Sequence, residues 1–181
     1  YTHNADGMLV KQMVYNKYDG SVNSGLIRQW FAPTKSYVEA EWHHYSEKLE
    51  LSIGADYYEV KCYEATYPDH DNYVLTRTER HYYTADGKEC GNELTRYNNG
   101  KIESKEGSKT EYQYNTPENG YTTTITNRID ENGMWTKAEK RVATDNYDDP
   151  LIPFSGSRSE KEYLYNSYDD SWALLRSCTK E

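Results

Sequence analysis

The chain has 181 residues, a formal net charge of -9 and only 25 Leu, Ile, Val and Phe, a fraction that falls below the roughly 20% floor under which disorder is suspected. Twenty Tyr and four Trp make up part of the deficit, so the composition describes a folded chain with a thin core. The negative balance, with no Lys/Arg cluster standing apart from acidic residues, argues against nucleic acid or an anionic membrane as partner. No run approaches the ~18 apolar residues of a membrane span.

From the N-terminus onward, Asp-Gly and Asn-Gly pairs punctuate the chain: Asp6-Gly7, Asp19-Gly20, Asp86-Gly87, Asn99-Gly100, Asn119-Gly120 and Asn132-Gly133. Such pairs favour two-residue type I′ hairpins, because both central positions need φ > 0. Three glycine pairs lie thirteen residues apart, at 7 and 20, 87 and 100, 120 and 133, which leaves room for one strand between reversals. The opening Tyr1-Thr2-His3-Asn4 has no initiator Met and fits a mature exported protein or a trimmed chain.

Between the turns the sequence alternates. Leu9, Met13 and Tyr15 oppose Val10 and Val14. Residues 37–50 fit two patterns, since Val38, Trp42, Tyr45 and Leu49 have helical spacing. Two strands turning near Ser46-Glu47-Lys48 suit the β-rich surroundings better. Leu75, Arg77, Glu79, His81 and Tyr83 oppose Val74, Thr76, Thr78, Arg80 and Tyr82, and Tyr121, Thr123 and Ile125 oppose Thr122, Thr124 and Thr126. Both faces of such strands mix apolar and charged groups, which points to a sheet wetted on both sides and covered by long amphipathic side chains. Residues 148–159, with Pro150 and Pro153, read as a long loop before a last hairpin at 160–178.

The fold expected is therefore all-β: one domain over 1–181, an elongated, twisted antiparallel meander of eight to twelve short hairpin strands, largely single-layered, with little helix.

Tyr112-Gln113-Tyr114-Asn115 precedes Asn119-Gly120, and Tyr163-Leu164-Tyr165-Asn166 precedes Asp169-Asp170. Looser versions are Tyr82-Tyr83 before Asp86-Gly87, and Tyr15 to Tyr18 before Asp19-Gly20. This unit resembles the YD-type repeats of secreted bacterial rearrangement-hotspot and wall-associated proteins. It resembles still more closely the small hairpin-repeat proteins exported by gut Bacteroidales, whose pattern also fits Trp135 and Trp172 placed shortly after turns. The resemblance covers about two thirds of the chain; Gly is missing from the last turn and residues 22–70 follow the pattern poorly. It implies export and a β-hairpin array. It carries over no catalytic residue and no ligand.

Chemistry-bearing residues are few. His43-His44 would point to opposite strand faces and chelate poorly without His70 or His81. Asp69-His70-Asp71-Asn72 and Asp145-Asn146-Tyr147-Asp148-Asp149 are oxygen-rich, but the first has Val74 where a calcium loop needs Gly and Arg80 where it needs Glu. Asx-rich turns explain both better. No nucleophile elbow, zincin or phosphate-loop signature is present, so no catalytic, cofactor or metal residue is assigned and an enzyme is not expected. Cys62, Cys90 and Cys178 are read as three free thiols, with Cys62–Cys90 the only bridge to consider.

What remains is aromatic. Trp30, Trp42, Trp135 and Trp172 are the candidate platform, since rings with one polar edge suit sugar stacking and protein interfaces. The expectation is a non-catalytic exported module, periplasmic, surface-bound or secreted, presenting aromatics on a sheet face to glycan or protein. Self-assembly through free sheet edges is the alternative, and an acid-pair glycoside hydrolase the lower one.

Overall fold

A computed structural model describes residues 1–15, 22–44, 46–66, 72–115, 121–147 and 156–180. Among them are no helix and thirteen strands: Thr2–His3 (β1), Leu9–Tyr15 (β2), Val22–Phe31 (β3), Ser36–Trp42 (β4), Glu47–Ile53 (β5), Tyr57–Ala65 (β6), Tyr73–Tyr83 (β7), Glu89–Asn98 (β8), Lys101–Asn115 (β9), Tyr121–Ile129 (β10), Trp135–Tyr147 (β11), Gly156–Asn166 (β12) and Ser171–Lys180 (β13). They form antiparallel meanders in chain order, β1 to β4 in one sheet and β5 to β13 in another. The all-β hairpin architecture is as the alternation implies.

Three particulars differ from expectation. Within 37–50 the chain is strand at 37–42 and 47–50, yet β4 and β5 are not a hairpin, because β4 closes the first sheet and β5 begins the second. Several strands are longer than the five or six residues expected, with β9 reaching fifteen. The loop proposed at 148–159 is shorter, since β12 begins at Gly156 and pairs with Tyr147. Residues 148–155 lie outside the described residues.

The turns show why Asp-Gly and Asn-Gly are not equivalent. Asn99 and Gly100 both have positive φ (51° and 76°), as a type I′ turn requires. At Asn4–Met8, Thr84–Lys88 and Asp130–Met134 only the glycine is left-handed. There the Gly N–H donates three residues back, to Asn4, Thr84 or Asp130, which makes a three-residue loop with a bulge. The first residue of each loop caps it: Oδ1 of Asn4 accepts from Asp6 and Met8, Oδ1 of Asp130 from Asn132 and Met134, and Oγ1 of Thr84 from Lys88. Among the described residues, the turns at 32–35 and 167–170 lack glycine and put Lys35 and Asp170 at φ 51° instead. Asp19-Gly20 and Asn119-Gly120 lie outside the described residues.

The chain divides into two compact units, Tyr1–Gly107 and Ser108–Glu181, with the boundary inside β9. The first unit has a core. Phe31, at the end of β3, is fully buried and meets the rings of Tyr58 (5.8 Å) and Tyr83 (5.0 Å) edge-on. Leu26, Ala40, Trp42 and Leu51 are buried with it, and Gln29 donates across to the Leu51 carbonyl at 3.2 Å. In this unit, then, the two sheets pack on each other, and the expected single layer does not hold. Trp42 lies over its cross-strand partner Gly25, where a Cβ would come within 2.2 Å of the indole. At Gly87 a Cβ would come within 2.3 Å of the Pro33 carbonyl, so the β7–β8 turn closes tightly on the β3–β4 loop.

In the second unit only Thr123 and Ala143 are buried among the described residues. One face of β10–β13 carries an ion-pair ladder, with Arg128 on Glu139, and Arg141 on Glu160 and Glu162. Arg176 reaches the same Glu162 from β13. The opposite face carries the rings.

Candidate functional site on the terminal strands

Register assembles this face. Tyr163 and Tyr165 are two apart on β12 and so point the same way. Lys140 of β11 pairs with Tyr163, while Leu174 and Trp172 of β13 pair with Tyr163 and Tyr165. The result is contiguous. Tyr165 and Trp172 are 5.2 Å apart, and the Lys140 ammonium sits 4.6 Å from the Tyr163 ring and 5.0 Å from the Trp172 ring. Lys137 lies 5.2 Å from the Tyr165 ring and 3.5 Å from the Asp170 carboxylate. The Tyr165 hydroxyl donates to Asp170 at 2.6 Å, which together with Lys137 holds that carboxyl below its usual range. The same bond, then desolvation, raises the Tyr165 phenol. Hydroxyl, carboxylate and ammonium thus fix the ring at the mouth of the last turn.

The four tryptophans have different fates. Trp172 belongs to this face, and Trp135 shares it by alternation with Lys137 along β11, with 36% of its surface open. Trp30 is in the first unit, 53% exposed and edge-on to Tyr37 at 5.4 Å. Trp42 is 2% exposed and cannot present its ring, because the glycine opposite lets the indole fold into the core. Two of the four are therefore brought onto one face. The sequence had no signal for Lys137, Lys140 and Tyr163 as their neighbours, because cross-strand register and the bulge at Ala138 decide that.

A second constellation lies in the first unit, on one face of β6–β9. Glu59 and Glu93 are both 8% exposed. The Arg80 guanidinium donates to Glu59 at 2.6 Å and lies 3.8 Å from Glu93, and Lys105 reaches Glu93 at 3.0 Å. The Tyr82 hydroxyl donates to Glu93 at 2.9 Å, while the Tyr57 ring covers Arg80 at 4.7 Å. Burial alone would raise Glu93, but Lys105, Tyr82 and Arg80 outweigh it and hold the carboxyl below its ordinary value. A general acid needs the reverse shift. On the neighbouring strands, burial and a hydrogen bond to Glu50 push the Tyr63 phenol up to about 12.

No three His, Cys, Asp or Glu gather as a metal site among the described residues. His43 and His44 are exposed past the end of β4, and His81 stacks on Tyr58 at 4.8 Å. Val74 and Arg80 lie within β7, and Asp145 to Tyr147 within β11, while His70 and Asp148-Asp149 lie outside the described residues. Cys62 and Cys90 are buried, Cys178 is exposed, and none of the three forms a disulfide. Cys90 sits beside the Tyr82–Tyr57 pair, two strands from β6 and five residues along it from Cys62. That separation is roughly 16 Å along the strand alone, beyond the ~7 Å reach of a disulfide.

Comparison with protein-family models, with curated proteins and with solved structures finds no match to this chain.

Proposed function

We propose that this protein is a non-catalytic binding module whose second unit presents a mixed aromatic and cationic sheet face to a protein partner. The observation that supports this most is the run of Tyr163, Tyr165, Trp172 and Leu174 on one face, crossed by Lys137 and Lys140. Tyr and Trp, which are enriched in protein interfaces, lie here beside an exposed Leu174 (57% open). Lysines seated at the ring faces favour a protein with an acidic rim over a sugar, which needs the ring face open for stacking. Export, to the periplasm, cell surface or medium, is part of the proposal and rests on the resemblance of the tyrosine-turn units alone.

The test is a pull-down with the intact chain and with Trp172→Ala and Tyr165→Ala, set beside a glycan array. Capture of one defined protein by the parent chain, weakened by about tenfold or more in either variant, supports the reading. Glycan binding that depends on Trp172 replaces protein with sugar as partner. Binding indifferent to both substitutions overturns it.

One observation favours a second reading, assembly through a sheet edge. β13 ends the strand order and is ten residues long, with Leu174 and Leu175 57% and 59% exposed. An unpaired edge of that length invites another strand. Light scattering over a concentration series distinguishes the two, since a monomer at all concentrations removes assembly.

A further inference from the structure

We infer that the charged face of β6–β9 is a binding site for a sugar acid, a polyhydroxylated ring carrying one carboxylate. A cavity of about 380 Å³ lies on this face, lined among others by Glu59, Lys61, Thr78, Arg80, Glu93 and Lys105. That volume falls at the lower end of the ~300–1,000 Å³ of small-molecule sites. The site lies wholly within the first unit and uses none of the residues of the aromatic face, so it stands independently of the protein-binding reading.

Three features select the ligand class. The first is the arrangement of donors and acceptors. Glu59 opposes Arg80, and Arg80 opposes Glu93, across three adjacent strands, with the Thr78–Thr95 pair in the next row. Carboxylates and cations therefore alternate at strand spacing, ~4.8 Å. A polyol suits this, because each hydroxyl both donates to a carboxylate and accepts from a cation. The second is the rim, where Leu75, Tyr97 and the exposed Ile102 offer apolar contact to the C–H face of a ring.

The third is charge. Among the lining residues Lys61, Arg80 and Lys105 stand against Glu59 and Glu93, one positive charge over, while Glu50, opposite Lys61 on β5, is held by Lys48 at 2.9 Å. A dianion such as phosphate would meet two nearly buried carboxylates, a cation would meet Arg80, and a neutral sugar would leave the surplus uncompensated. The surplus sits at Lys61, the most loosely held of the three, 3.6 Å from Glu59 and 36% exposed. Lys105 and Arg80 are bound at 3.0 and 2.6 Å. Lys61 is thus the cation free to turn to a ligand carboxylate. Arg80 Nε is buried and has no hydrogen-bond partner among the described residues.

The experiment is calorimetric or NMR titration of the intact chain with galacturonate and digalacturonate, against galactose and the methyl ester of digalacturonate. The acid forms should bind at least about tenfold more tightly than the uncharged forms, with affinity falling as salt rises. Lys61→Met should remove that discrimination, Lys61→Arg should keep it, and Trp172→Ala should leave it untouched. Backbone resonances of Lys61, Thr78 and Thr95 should shift in the parent chain, which tests the location even if Lys61→Met fails to fold. Equal affinity for acid and neutral forms, no binding of either at millimolar concentration, or shifts confined to residues beyond 107 would each overturn the inference.

Discussion

The two units solve the shortage of aliphatic residues in different ways. In the first, two sheets close on each other around Phe31, and the rings of Tyr58, Tyr83 and Trp42 do the work that Leu and Ile do elsewhere. In the second, the described strands bury almost nothing, and their order comes from the backbone ladder, cross-strand ion pairs on one face and ring-to-lysine contacts on the other. The contrast separates stability from availability. Rings spent on a core are lost as binding groups, as Trp42 is, whereas the rings of β12–β13 stay accessible because no second layer covers them among the described residues.

The sharpest way to break this contrast is Phe31→Ala. Emptying a fully buried site should cost about 3–5 kcal/mol in denaturant unfolding, whereas Tyr163→Ala in the open sheet should cost about 1 kcal/mol. Equal losses would mean that the second unit has a core of its own. Next in size is Glu93→Gln, which strands Lys105 and Arg80. With those partners partly exposed the loss should be about 2–3 kcal/mol, below the ~3–5 of a fully buried pair.

The same carboxyl sets an acid limb. Because Glu93 is held below its ordinary 4.5, the unfolded chain takes up its proton first as pH falls. Its contribution is therefore complete above that value and is lost as pH drops through and below it. Thermal midpoints from pH 7 to 3 should fall less steeply in Glu93→Gln than in the parent; parallel curves would remove Glu93 as the cause.

Gly25→Ala should follow. The new methyl meets an indole that is itself 2% exposed and cannot move aside, at a cost of about 1–3 kcal/mol. Trp42 fluorescence should shift to the red with it. A neutral Gly25→Ala would mean that the indole is free to repack. The smallest effect belongs to the second unit. Arg141→Ala removes ion pairs to Glu160 and Glu162 from a side chain 54% exposed and should cost no more than about 1 kcal/mol. That difference should vanish in 1 M salt, where screening acts within ~3 Å. A loss that survives high salt would show that Arg141 acts by packing its stem.

Much of this protein is local, and local features are what a sequence states. Alternation in 74–83 and 121–126, glycine at the left-handed turn positions and the Tyr163-x-Tyr165 spacing each follow from two or three neighbouring residues, so strands, hairpins and a fold with little helix were legible. Turn type was not, because Asp6-Gly7, Asp86-Gly87 and Asn132-Gly133 depend on a capping residue two positions earlier, whose hydrogen bonds turn an apparent two-residue turn into a bulged loop. Lys35 carried no left-handed signature, and Asp170 only the weak one of an aspartate without a following glycine. Register and sheet membership lay further out of reach. That β4 and β5 belong to different sheets, that Gly25 faces Trp42, that Lys140 reaches both Tyr163 and Trp172, and that Arg80 lies between Glu59 and Glu93 are meetings between residues up to thirty-two positions apart. Side-chain period fixes which face a residue takes along its own strand, but only the pairing of strands decides which faces meet, and both candidate sites are made of such meetings.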